Sequence, residues 1–542
     1  MKNNITLAII LILTVLAALY LGTTVAAGNI VELSGWFGVT LLILFLIKGY
    51  QFSWQVVLFI AWGNISFLHA FRIEPIHASS VIFVLFLLSA LIRKARLPAK
   101  ISLHAAGIMG LNISIVAFLL YGVIHLVISR VFPHIPGEFS FGNSAKGYFK
   151  TFFPLVILLF GLNSQIGFQV RKGWSKAFLI LMSLAVLGNV SYLLFLYLNG
   201  FSGTSETASF EEIGVVHIPL INAVPHHFAM RTLGPLAALF GFGFISIPGW
   251  WREQPLIIKL IALTLIAGGL GGAVMSGGRA AVAMCLFFMG FMAFYRKKAI
   301  LIVMAAMGAV LLLAIVNLFS DTINKKAPLF VARPLQYLLI EKGRSMDSIK
   351  SSQDQRGALF EAAIEEWRSD PRITLIGRGI YRYANSADDL KPVLGEIGAF
   401  VEVNLRAGTC HSLIPSALIQ YGIVGFVLFM FIWLFLLRFN WKLYKILRRD
   451  GYSMELQTIA ICLFFYNCLR IVIDLVASGW MTIFTVTMLI LIRSCMSYEI
   501  SRHLAENGSE EAFQSEWSRQ NPKVRDFDRP PAPAFGKRNQ SV

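Results

Sequence analysis

The chain has 542 residues, 56% of them hydrophobic and 14% charged, with a mean hydropathy of +0.69. Soluble domains run at about 45–50% apolar and about 25% charged residues, so this chain has too few charges to cover a water-facing surface; a cytosolic enzyme, a secreted disulfide scaffold and a free nucleic-acid-binding domain are excluded. The net charge of +18, from 47 Lys and Arg against 29 Asp and Glu, reads as the basic excess of cytoplasmic loops.

A membrane-spanning helix needs about 20 mostly apolar residues. Fourteen runs meet that description, at 5–23, 34–49, 52–70, 78–92, 104–128, 151–169, 176–199, 229–247, 256–275, 280–295, 299–318, 413–437, 455–475 and 479–496. The first follows Lys2 but carries no convincing small-residue cleavage site, so it reads as a retained helix and not a signal peptide. The predicted class is an all-α polytopic integral membrane protein with about 14 transmembrane helices and one large, mainly helical extracytoplasmic loop domain. Its divisions are helices 1–7 with their outer loops (1–228), helices 8–11 (229–318), the loop domain (319–412), helices 12–14 (413–497) and a polar, Pro-rich tail (498–542) expected to be disordered.

Lys and Arg collect in every second join: Arg93 to Lys100, Arg171 to Lys176, Arg252 to Lys259, Arg296 to Lys298 and Arg438 to Arg449. This alternation predicts that those joins and both termini are cytoplasmic. The outward segment 319–412 holds 94 residues with 13 Lys or Arg and 12 Asp or Glu by count, a balance that suits a small folded domain. Within it, Arg356 to Arg368 puts Leu359, Phe360, Ala363, Ile364 and Trp367 on one helical face, and Pro371 ends that helix. The apolar stripe suits packing on the membrane surface.

No CxxC, HExxH or Cys/His cluster with zinc spacing is present, and no P-loop, so neither a metal nor another cofactor is expected. Four of the five cysteines lie in or beside spanning runs, which leaves Cys410 alone in an outer loop with no disulfide partner.

Candidate chemistry therefore rests on polar residues at the outer face. Arg279, in the small turn Met275 to Ala281, can leave the hydrocarbon and offer a bidentate fork to a lipid-linked phosphate; snorkelling to the interface is the plainer alternative. In the cluster His226, His227 and Arg231, two adjacent histidines cannot share a helix face, which argues against a two-His metal site and leaves Arg231 as a second phosphate ligand. Arg356 and the turn Gly377–Arg378–Gly379 belong to the loop domain, and His411 is the last polar side chain but one before an apolar run, where it could accept a proton from a hydroxyl or simply sit at the interface. Arg470 and Asp474, four apart, can pair on one helical face.

Taken together, the Arg279 turn opening a helix, the Arg-led loop helix, PRITLIGRG at 371–379 and HSLIPSALIQYGIVGFVLF at 411–429 resemble the O-antigen ligase and polymerase superfamily. The likeness covers about 229–437. Ser412 stands where that family usually has Asn, and Ser276 is one residue further from Arg279 than is common. What the resemblance implies is a metal-independent, inverting glycosyltransferase of a bacterial inner membrane, acting on its periplasmic side. It would take a glycan from undecaprenyl diphosphate and pass it to an acceptor hydroxyl on a glycan, lipid or protein, among membrane lipids and with no nucleic acid. In that scheme His411 and Arg279 are catalytic, and Arg231, Arg356, Arg378 and His227 bind the diphosphate or glycan. A metal-dependent oligosaccharyltransferase would want paired carboxylates in an early outer loop, where only Glu32 and Glu74 occur. A transporter or flippase would be expected to show several intramembrane ionisable residues or broken helices.

Overall fold

The structure, a computed structural model, describes residues 97–99, 101–131, 141–198, 216–218, 221–223, 228–275, 279–297, 345–380, 387–407, 410, 412–474 and 483–507, with some single positions and a short stretch at 316–321 besides. The predicted runs 5–23, 34–49 and 78–92, almost all of 52–70, most of 299–318 and the tail beyond residue 507 lie outside the described residues.

In chain order the helices are α1 (Ile108–Val131), α2 (Phe141–Asn163), α3 (Trp174–Leu198), α4 (Phe228–Ile245), α5 (Trp250–Glu253), α6 (Leu256–Met275), α7 (Arg279–Tyr295), α8 (Ser345–Ser369), α9 (Pro371–Ile376), α10 (Ala387–Ala407), α11 (Leu413–Arg449), α12 (Met454–Asp474) and α13 (Ile483–Asn507). One feature departs from an all-helical plan. Val216–Ile218 pairs antiparallel with Ile221–Ala223, a hairpin that the β-branched residues of this outer join support. Five helices among the described residues are long and apolar enough to cross a membrane, and α1 shows why no other solvent suits them. Met109, Ile113, Val116, Leu120, Val123 and Val127 form an exposed stripe at helical spacing. Such a stripe is stable against hydrocarbon and not against water.

All five basic joins fall at one end of the bundle. Ala99 exchanges hydrogen bonds with Ser497, and Leu97 N–H donates to Gln165 O at 2.8 Å. Phe178, one turn into α3, packs on Phe240 and Phe244 near the end of α4. Arg296 donates to Thr458 of α12, and Ser453 binds Glu499 of α13. Tyr295 lies against Tyr444 in the basic half of α11. It follows that α4, α7 and α11 all begin at the opposite, far end.

Helices α4 and α6 cross closely because small residues line both. A Cβ on Gly234 would come within 2.6 Å of Gly269 O, and one on Gly269 within 2.6 Å of Gly234 O. In a membrane, where burial of apolar surface gives no drive between helices, this close approach is what dispersion forces need.

Several helices outrun their apolar runs. α11 continues twelve residues beyond 437 because Phe439, Leu443 and Leu447 keep its buried face in register while Lys and Arg occupy the other. α2 starts at Phe141, ten residues before its apolar stretch. α10 adds a second long helix to the mainly helical loop domain. Buried Arg493 of α13 donates to Gly161 O at 2.6 Å and to Ser164 O, capping the end of α2.

Arg493→Ala leaves those two carbonyls without a donor, and the expected loss is about 2–4 kcal/mol, read as a lower melting midpoint in detergent. Arg493→Lys recovers only part of it, because a point charge cannot serve both acceptors as a planar fork does. Burial holds the Glu499 carboxyl above the usual value of 4.5, although Ser453 N–H and hydroxyl donate to it. A carboxyl raised in the folded state takes up its proton there first, so folding gains stability as pH falls toward 4.5 and loses it as pH rises through the folded value. Glu499→Gln therefore flattens this dependence and melts higher than the parent at pH 8.

Candidate functional site

At the far end, the loop domain is joined to the membrane bundle by main chain and not by side-chain contacts alone. Asp370 caps α9, its Oδ1 accepting from Arg372 N–H at 2.8 Å, with Pro371 preset for the first helical position. Trp367 Nε1–H donates to Thr374 O at 3.1 Å, and Thr374 Oγ1–H donates back to Trp367 O at 2.8 Å, so α8 and α9 are locked at their junction. α9 stops at Gly377, which has φ +76°.

The turn after it fills a break in α11. Gly422 takes φ +63° and ψ −174°, interrupting the helix nine residues from its start. The carbonyls just before the break need substitute donors, since main-chain oxygens left bare inside a membrane cost several kcal/mol each. Arg378 N–H donates to Ile419 O at 2.8 Å and Gly379 N–H to Gln420 O at 3.1 Å. The Tyr121 hydroxyl lies 2.5 Å from Tyr421 O and 2.9 Å from Ile376 O. Both glycines are required by space as well as by φ: a Cβ on Gly377 would stand 2.5 Å from the Gln420 main chain, and one on Gly422 would run into Leu375 and Ile376.

Arg378 is 2% exposed and committed to protein partners. Its Nη1 donates to Glu366 Oε1 of α8 at 2.5 Å, and its Nη2 donates to Arg406 O at 2.9 Å and to Leu405 O, which caps the end of α10. The geometry makes it a tie between α8, α10 and the α11 break, with its Nε buried and without a hydrogen-bond partner. The apolar face of α8 packs within the loop domain and on the start of α11, in place of the membrane surface expected for it. Leu359 and Ala363 are buried with Phe400, Cys410 and Ile419, with Trp367 packed against them, whereas Phe360 is exposed. The face thus packs on α10 and α11. Burial among these apolar groups pushes the Cys410 thiol up to about 12.

Beneath the turn lies a polar group that the sequence reading passed over. His125 of α1 is 1% exposed, with Nδ1 2.7 Å from the Tyr148 hydroxyl and Nε2 buried without a hydrogen-bond partner. Its ring stacks on Tyr121 and meets Tyr421 at 5.7 Å. An ionisable residue in the apolar run 104–128 was the available signal. Tyr148 could not be placed there while α2 was taken to begin at 151.

Arg279 opens α7 and Arg231 stands in the first turn of α4, so the close α4–α6–α7 packing brings both backbones to the far end. Arg356 is half-buried on α8, ten residues before Glu366 and so ~15 Å along the axis from the Arg378 pair. His227 and His411 lie outside the described residues, as do the side chains of Arg231, Arg279 and Asp474. His411 is flanked by Cys410, whose N–H donates to Ser416 Oγ at 2.9 Å, and by Ser412, the extended residue at the start of α11. Neither a family model nor a curated protein matches this chain.

Gly422→Ala and Gly377→Ala are each expected to cost about 3 kcal/mol or more, through strained φ together with a main-chain clash. Gly357→Ala, in α8 with open space around it, is the control and is expected to be neutral or to stabilise by up to about 1 kcal/mol. Melting midpoints of the purified proteins decide between these outcomes.

Proposed function

We propose that this chain is a membrane glycosyltransferase of the O-antigen ligase and polymerase type. It crosses a bacterial inner membrane fourteen times, with its basic end and both termini in the cytoplasm. On the periplasmic side it transfers a glycan from undecaprenyl diphosphate to an acceptor hydroxyl. The observation that supports this reading best is that α4, α7 and α11 all begin at the end of the bundle away from the described parts of the basic joins, the end at which the loop domain meets α11.

In this reading Arg279 and Arg231 hold the diphosphate, and Arg356 supports it. Arg378, through Glu366 and the end of α10, positions the loop domain. His411 takes the proton of the acceptor hydroxyl as its oxygen attacks the anomeric carbon. The bond from that carbon to the phosphate oxygen breaks, configuration inverts, and the arginines stabilise the charge gathering on the leaving diphosphate. A transporter or flippase is the second reading, and the broken α11 together with buried His125 and Arg493 speaks for it. Against it, the carbonyls at the break are already occupied by Arg378 N–H, Gly379 N–H and the Tyr121 hydroxyl, which leaves them unavailable to a passing ion.

Arg279→Ala and His411→Ala are expected to lower glycan transfer by roughly 10²–10³-fold at unchanged protein levels. Gel profiles of surface glycans from a deletion strain carrying each variant measure this; normal glycans from both variants would exclude the assignment. A lost ladder with single repeats retained identifies a polymerase, and long chains held on the carrier identify a ligase. Flux of labelled carrier in vesicles tests the transport reading.

A further inference from the structure

At the basic end, a crevice between α7, α11 and α12 holds a guanidinium for which the described residues supply no counter-charge. Arg296 follows directly on α7 and is half-buried. One of its nitrogens, Nη2, donates to Thr458 Oγ1 at 2.7 Å, and that hydroxyl is itself spent on Met454 O at 2.7 Å. Its Nε is buried without a partner. The Tyr295 ring lies 5.7 Å from its carbon Cζ. Tyr295 also packs on Tyr444, one turn before Arg448 of α11, which brings a second cation to the same place; burial first, and that cation after it, lower the affinity of Arg296 for its own proton. Among the described residues no carboxylate pairs with Arg296 or Arg448, and Asp450 pairs instead with Arg449 at 2.7 Å. Two guanidinium groups brought together with no carboxylate between them are the ordinary arrangement for gripping a phosphate.

The surface leading to the crevice says where that phosphate comes from. Phe287, Phe291 and Phe294 run up α7 toward Arg296, Phe294 being 72% exposed, and Phe291 is held edge-on to Phe465 of α12 with ring centroids 4.2 Å apart. An exposed apolar helix face that ends beside two cations has the two-part chemistry of a phospholipid.

We infer that the crevice formed by Arg296, Thr458 and Arg448 binds the headgroup phosphate of an anionic phospholipid, with an acyl chain along the exposed phenylalanines of α7. The site lies at the opposite end of the bundle from the proposed reaction and does not depend on that proposal. Binding there also ties the end of α7 to α11 and α12.

The test uses the full chain, stripped of lipid in detergent and titrated with dioctanoyl phosphatidylglycerol, dioctanoyl phosphatidylcholine or glycerol 3-phosphate, with bound adducts counted by native mass spectrometry. Phosphatidylglycerol is expected to be retained in preference to phosphatidylcholine, and glycerol 3-phosphate at the same concentration to bind little. Arg296→Gln and Arg448→Gln should each lower phosphatidylglycerol occupancy about fivefold. Arg448 is exposed at the rim, so its variant keeps the test decisive even where Arg296→Gln disturbs folding. Equal retention of the two lipids, undiminished binding by Arg448→Gln, or equal binding of glycerol 3-phosphate would overturn the inference, the last by making the crevice a site for free anions.

Discussion

The rest of the far end depends on one exchange of hydrogen bonds. A helix broken at Gly422 exposes carbonyls that cannot stay bare at that depth, and a turn of the loop domain supplies its own main-chain N–H groups to them. The exchange forces several other features. Gly377 is needed because the turn must come within van der Waals contact of the helix it repairs. Tyr121 must bring a hydroxyl from α1 to the same place. Arg378, whose main chain is committed downward, directs its side chain upward to join α8 and α10. A loop domain that composition alone would leave loosely tethered is thereby made continuous with the bundle.

The second organising constraint is the separation of charge along the bundle axis. Lys and Arg crowd one end, whereas the loop domain at the other carries near-equal numbers of both signs. The buried cations obey a different rule. Arg378 and Arg493 each cap the carbonyl end of a helix, where the partial negative charge of the peptide dipoles offsets part of their desolvation. Arg296 also follows the C-terminus of a helix, but it shares its surroundings with Arg448 instead of a carboxylate.

Much of this was legible in the residues. Apolar runs located α1, α3, α4, α6, α7 and α12, and the start of α11, to within a few positions, because a spanning helix is defined by length and hydropathy and little else. The basic joins, read by their alternation, do lie together. Helix ends outside the hydrocarbon were less legible: α2 begins among the mixed residues Phe141 to Lys150, and α11 runs on through Arg449, since amphipathic continuation leaves no drop in helix propensity. The break in α11 was invisible for another reason. A Gly within an apolar run signals tolerance of a bend, and whether the bend occurs depends on a turn more than forty residues away. Arg378 illustrates the same limit. An arginine between two glycines in a polar loop reads as an exposed anion ligand, and only the three-dimensional positions of Glu366 and the end of α10 reveal that it is buried, with Nη1 and Nη2 bonded to protein.

The repair of α11 also sets an order of assembly. Arg378 and Gly379 are synthesised some forty residues before the carbonyls they serve, and Tyr121 waits 300 residues for Tyr421. A chain emerging from its N-terminus must therefore hold the loop domain with its turn still hydrated, and can close it only when α11 arrives beneath. Ile419 is likewise part of the apolar core under α8 and α10. The loop domain thus matures after the helix that follows it, and α11 is at once an apolar helix long enough to span a membrane and the final piece of the domain packed on its start.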